Sequence, residues 1–219
     1  MTGTDGLRWW FESGAVSLDF AYTGEVDGGR VQQEQFGRPE DLGSWLAARF
    51  DGIDAHADER ALADALLLRS AIGAAARTVS RNTAPDADAI DTINLFAATP
   101  DIPPSLDGGR RRAGATRVQA RQALSTIARD AVRILGAHPD RIRECSGEDC
   151  DLLYYDESRS GSRRWCAMQR CGNRAKVRAH RARARTARTE DVGPTGLSER
   201  PERSGRAGTA ERPAADASA

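Results

Sequence analysis

The 219-residue chain has no apolar run of the roughly 18–20 residues that a membrane-spanning helix needs. Its best candidate, ALADALLLRSAIGAAA at 61–76, carries Asp64 and Arg69 and reads as an amphipathic helix, so no membrane partner is expected. The opening MTGTDGLRWWFESG has neither a basic n-region nor an apolar h-region. No signal peptide is expected, and the expected location is the cytoplasm. A phosphate-cradling glycine loop and a Gly-x-Ser-x-Gly elbow are both missing, and His56, His138 and His180 share no ligand spacing. No enzyme is expected. Lysine is almost absent, with Lys176 alone beside 31 arginines, and cysteine occurs only four times.

What is present is unevenly placed. Arg159 to Arg188 holds eleven basic residues and no acidic one, whereas the whole chain is formally neutral. A net charge of zero therefore hides an acidic body joined to a basic segment, an asymmetry that suits a polyanionic partner.

The acidic body reads as mainly α-helical. LRWWFESGAVSLDFAYTG at 7–24 has two short aromatic and branched runs around Glu12, Ser13 and Gly14, which predicts a small N-terminal β-hairpin. Pro39 followed by Glu40 and Asp41 marks a helix start, with Trp45, Leu46 and Leu42 or Phe50 as its inner stripe. His56 to Arg81 presents Leu62, Ala65, Leu66, Arg69, Ile72 and Ala76 at helical spacing. PDADAIDTINLFAAT predicts a helix burying Ile90, Ile93 and Leu95 or Phe96. Its Asp86, Asp88 and Asp91 are read as acidic groups at a helix N-terminus in preference to a metal cluster. Three prolines and three glycines make 100–114 a loop, and Thr116 to Ala137 carries Val118, Leu124, Ile127, Ala131, Ile134 and Leu135 as a long amphipathic helix. Residues 1–137 are thus expected to fold alone, and 189–219, with almost no large apolar side chain, to be disordered.

Between them lie all four cysteines, Cys145, Cys150, Cys166 and Cys171, as two C-x4-C pairs separated by fifteen residues. Each pair offers two thiolates from one turn, which is what a tetrahedral metal requires. Disulfides suit secreted chains, and the spacing departs from ferredoxin runs. The expectation is one structural Zn2+ with a closed shell, folding the module and catalysing nothing. CSGEDC suits a tight turn, LLYYDES has strand character, SRSGSRR returns the chain to Trp165, and GNRAKVRAHRARARTAR has helix composition. Residues 141–188 then form a treble-clef-like module, a β-hairpin plus a basic helix. Arg174, Arg178, Arg181, Arg185 and Arg188 recur on that helix at three- or four-residue steps, and like charges so placed repel until a polyanion arrives.

RIRECSGEDCDLLYYDESRSGSRRWCAMQRCGNRAKVRAHRAR resembles the CGNR zinc finger, named for the residues at Cys171, Gly172, Asn173 and Arg174. SLDFAYT at 17–23 resembles the ABATE domain that usually precedes it, although Tyr22 stands where that family tends to carry Asn. The resemblance implies a stress-induced bacterial transcription regulator whose N-terminal domain senses a small ligand or forms a homodimer. Duplex DNA is the expected partner, with Arg159, Arg163, Arg164, Arg174, Lys176, Arg178, Arg181 and Arg185 as candidate contacts. Trp165 is read as the module's core, Asn173 as a cap within the knuckle, and Asp19 as a cap or buried hydrogen-bonding group. Two other readings stay open: a zinc-stabilised module docking on an acidic protein or RNA, and a thiol switch that releases zinc on oxidation.

Overall fold

The computed structural model describes residues 11–24, 34–53, 56–104, 106, 118–148 and 150–191, the last five of these by backbone alone. Among these residues are six α-helices, three short π- or 3-10 turns and one two-stranded sheet; the α-helices and strands are α1 Val16–Ala21, α2 Pro39–Ala47, α3 Glu59–Ser80, α4 Ala87–Ala97, α5 Ala120–Val132, β1 Ile142–Glu144, β2 Leu153–Tyr155 and α6 Asn173–Asp191. None of the helices is long and apolar enough to cross a membrane. By contacts the chain divides into a unit ending at Arg178 and a second from Ala179 onward.

Within the first unit α3 is the axis. Asp58 caps it by accepting from the Ala61 N–H at 2.7 Å. Its inner face alternates bulk with alanine, burying Leu62, Ala65, Leu68, Ile72, Ala75 and Ala76 so that neighbouring elements pack closely. Arg69 lies on this face, as its spacing suggests. Glu34 accepts from both of its Nη groups, at 2.7 and 2.6 Å, and so matches the buried charge. From α2 come Leu42, Trp45 and Leu46, and from α5 Leu124, Ile127 and Ala131, all buried as expected.

The expected N-terminal hairpin is absent: 16–21 is helix, and 7–10 lie outside the described residues. What reads as a turn is the approach to α1. Gly14 adopts φ +84°, and a side chain there would run into the Tyr155 carbonyl. Asp19 then accepts from the Ser13 N–H and hydroxyl at 3.1 and 2.7 Å. With Leu18, Phe20 and Ala21 all buried, this short helix has no polar face to reveal a helical period.

Two further departures concern helix faces and limits. Of the stripe expected in α4, Ile93 is buried and Phe96 partly so, but Ile90 and Leu95 face outward because the helix rests on α3 and α5 along one narrow edge. Helix α5 begins at Ala120; Val118 instead bridges Ile53, its N–H bonded to the Gly52 carbonyl at 3.0 Å. Asp86 caps α4 by accepting from the Asp88 N–H, the structural role foreseen for this acidic run.

The core does not stop at residue 137. Ile142, Leu152, Leu153, Tyr154 and Tyr155 join the helix residues in one buried cluster. Strand β2 passes between them, its Tyr155 N–H donating to the Ser13 carbonyl. The Tyr22 hydroxyl donates to the Leu153 carbonyl at 3.3 Å and accepts from the Leu153 N–H at 2.5 Å.

Candidate metal centre and basic helix

The LLYYDES segment is strand, as expected, but its partner lies upstream. β1 and β2 pair antiparallel, Ile142 opposite Tyr155 and Glu144 opposite Leu153, so the first cysteine pair occupies the hairpin's own loop. The Cys145 N–H continues the ladder to the Leu152 carbonyl, and the Cys150 N–H closes a tight turn on Gly147. Gly147 sits in a tight space: a Cβ would lie 3.3 Å from the Cys171 sulfur and 3.6 Å from that of Cys145, so a side chain there would press on the ligands. The second pair arrives along 163–171. The Ser146 N–H donates to the Arg164 carbonyl, and the Cys166 N–H donates to the Cys145 sulfur at 3.3 Å.

All four sulfurs lie within 4.8 Å of one another, with Cys150–Cys166 and Cys166–Cys171 both at 3.6 Å. A tetrahedron with metal–sulfur bonds of about 2.3 Å has edges of about 3.8 Å. Among the described residues, this is the group of ligating side chains close enough to hold a metal. The electrostatics point the same way. Hydrogen bonds from Cys150, Cys166 and backbone amides pull the Cys145 thiol well below its ordinary range. The same hydrogen bonds to Cys145, with burial, push Cys150 and Cys166 up. Four sulfurs this close can all ionise only around a cation. Zn2+ supplies it, fits the donor set, and is held by Cys145, Cys150, Cys166 and Cys171 as a single site.

The candidate basic contacts separate into two kinds. Arg163 faces inward: its Nε donates to the Trp165 carbonyl at 2.9 Å, and its Nη2 to those of Cys166 and Glu12 at 2.5 and 3.3 Å. Its guanidinium lies 4.4 Å from the Tyr154 ring centre, and the Tyr154 hydroxyl donates to its carbonyl. Those bonds engage Arg163 in holding the second knuckle. Arg159 and Arg164 are exposed, Arg164 stacking 5.2 Å from the half-buried Trp165 ring. On α6, Arg174, Lys176, Arg181 and Arg185 are exposed, whereas Arg178 is half-buried and paired with Glu148 at 3.0 Å. Asn173 acts within the knuckle, donating to the Gln169 carbonyl. Helix α6 runs to Asp191, into the tail expected to begin at 189; residues 192–219 lie outside the described residues.

Three residues at the wall between hairpin and helices escaped the sequence. Arg77 of α3 meets Glu144 of β1 there, and Tyr22, just after α1, bonds to the Leu153 backbone of β2. A tyrosine in an apolar run and an arginine one position beyond an inner alanine carry no signal of such a contact.

Two family models match. The ABATE model, described as "Putative stress-induced transcription regulator", matches 14–138, and the CGNR zinc finger model matches 141–184. A search of curated proteins returned no match.

Proposed function

Because the chain belongs to the ABATE family and carries a CGNR zinc finger, we propose that it is a DNA-binding transcription regulator whose contact surface is α6. One observation carries the reading. The helix starts two residues after the last zinc ligand, its basic residues Arg174, Lys176, Arg181, Arg183 and Arg185 are exposed, and its sequence holds no Asp or Glu before Glu190. Anchoring to a metal knuckle orders the helix's first turn before contact, so less freedom is lost there on binding. The metal takes no part in chemistry: four thiolates fill a tetrahedral shell and leave no position for a substrate. The protein is thus read as a non-enzymatic cytoplasmic regulator, as a homodimer or as a monomer.

The helical domain would carry the signal. A cavity of about 650 Å³ opens where α3 and α5 begin and α4 ends, with Ala57, Ala61, Phe96 and Leu124 as apolar lining and Asp64 and Arg121 of opposite charge beside them. A small ligand with both apolar and polar parts fits that lining.

Fluorescence anisotropy with duplex DNA and zinc-loaded full-length protein tests the contact surface. Five phosphate contacts give a log–log salt slope of roughly −4 to −5, and Arg181→Ala with Arg185→Ala should flatten it by about two. An unchanged slope would remove α6 from the interface. A slope seen equally with an acidic polypeptide or RNA, but not with duplex DNA, would favour the other docking readings.

A further inference from the structure

Arg77 is buried, its side chain 7% exposed, near the end of α3. Its Nη1 donates to the Asp151 carbonyl at 2.8 Å and lies 3.5 Å from Glu144 Oε1. That oxygen is already engaged by Arg81 Nε at 3.1 Å and approached by the Ser80 hydroxyl. Among the described residues, only the Nε and Nη2 of Arg77 are buried side-chain N–H groups with no acceptor in the chain. A buried cation so poorly matched by carboxylate costs several kcal/mol unless other negative charge lies nearby.

Arg77 reaches the backbone that adjoins the metal centre. Four thiolates around Zn2+ leave the centre with a net charge of −2, and Asp151 follows the ligand Cys150 directly. The peptide joining Asp151 to Leu152 is one rigid plane. Its carbonyl accepts from Arg77, which ties the residue directly after Cys150 to α3, while the Leu152 carbonyl accepts from the Cys145 N–H. The next residue is held too, since Leu153 is bracketed by the Tyr22 hydroxyl, which feels both the Arg77 charge and the Cys150 thiol.

We propose that Arg77 is a positioning residue for the zinc centre: through its bond to the Asp151 carbonyl it fixes the backbone directly after the ligand Cys150, and with it the Cys145–Leu152 end of the hairpin that presents the first thiolate pair. The helical domain thereby sets how tightly the finger holds its metal. By linkage, loss of zinc loosens the end of α3 by the same coupling. The inference stands on the zinc site and is independent of what α6 binds.

The test uses full-length protein and three variants. Arg77→Met removes charge and donors while keeping bulk, Arg77→Lys keeps the charge but not the forked donor, and Glu144→Gln weakens the neighbouring ion pairs while leaving the peptide contact. Zinc affinity is measured by competition with a chromogenic chelator, and thiolate donation by the sulfur-to-metal charge-transfer band of cobalt-loaded protein. Loss of an outer partner typically weakens metal binding about 10- to 100-fold, the loss expected for Arg77→Met together with a shifted band. Arg77→Lys should fall between Met and parent, and Glu144→Gln should stay within about threefold of parent with its band unmoved. Parent-like affinity and band in Arg77→Met, or an equal zinc loss in Glu144→Gln, would overturn the proposal. Should Arg77→Met fail to fold, Arg77→Lys decides, and a parent-like result there overturns it as well.

Discussion

Arginines in two regions of this protein do opposite work. At the wall between hairpin and helices, Arg77 and Arg163 are turned inward and donate to backbone carbonyls of the finger and, from Arg163, of Glu12. Along α6, Arg174, Arg181, Arg183 and Arg185 extend into solvent. The residue type is the same; the difference is whether carbonyl groups converge on the guanidinium. A buried fork satisfies several acceptors at once and locks loop geometry. An exposed one keeps its charge available for a polyanion. An arginine count therefore says little about nucleic-acid contact until each side chain's partners are known.

The comparison is broken most severely by taking the wall apart. Truncation after Ala137 would expose the apolar groups that β2 covers and leave the Tyr22 hydroxyl without the Leu153 backbone. The separate folding of 1–137 expected from the sequence is then lost, and the fragment should show no sharp, cooperative thermal transition by circular dichroism. A cooperative melt at the parent's temperature would make the wall an incidental contact. Next in size is Arg163→Ala, which takes the donor from two buried or half-buried carbonyls, those of Trp165 and Cys166, and from the exposed one of Glu12. At about 1–3 kcal/mol for a group left unsatisfied, and about 2–4 °C per kcal/mol for a chain of this size, Tm should fall by several degrees. The salt slope of DNA binding should stay unchanged, because the donors of Arg163 are taken by backbone carbonyls. The mirror image is Arg181→Ala with Arg185→Ala, which should alter the slope by about two while leaving Tm within about 1 °C. If either variant changes both quantities strongly, the division between inward and outward arginines fails.

Much of this organisation was legible in the chain. The cysteine spacing foretold the metal centre because a four-thiolate site is a local pattern with few competing uses. The inner stripes of α2, α3 and α5 were legible because a helix with one buried face writes its period into the sequence. Helix α1 was not, since a six-residue helix buried nearly all round shows no period and its Ser13–Asp19 bonds resemble turn chemistry. The β1 partner of LLYYDES was hidden for a different reason. Strand pairing is a relation between segments, and three residues of β1 contain only Ile142 as a buried apolar position. Nor was the wall legible. Tyr22 meets Leu153 across 131 residues of sequence, and nothing local to either announces the other.

The smallest expected effect sharpens the comparison at Arg178, the α6 residue that belongs to neither kind. It is half-buried and paired at 3.0 Å with Glu148, a side chain 75% exposed in the first knuckle's turn. An exposed pair of this sort contributes about 0–1 kcal/mol, so its removal should leave Tm unchanged. For DNA the sign is worked out from charge. Glu148→Gln deletes one negative charge beside the basic helix and frees Arg178 for a phosphate. Both changes favour binding, by up to about fivefold at low salt, since 1 kcal/mol is about a factor of five. The gain should fade as salt screens exposed charges, and the salt slope should steepen by about one if Arg178 takes up a phosphate contact. Unchanged affinity and slope would place Arg178 outside the interface. Weaker binding would reverse the reading altogether: Glu148 would then be holding Arg178 in the position from which the helix meets its partner, and the pair would belong with the inward-facing arginines that fix the finger's shape.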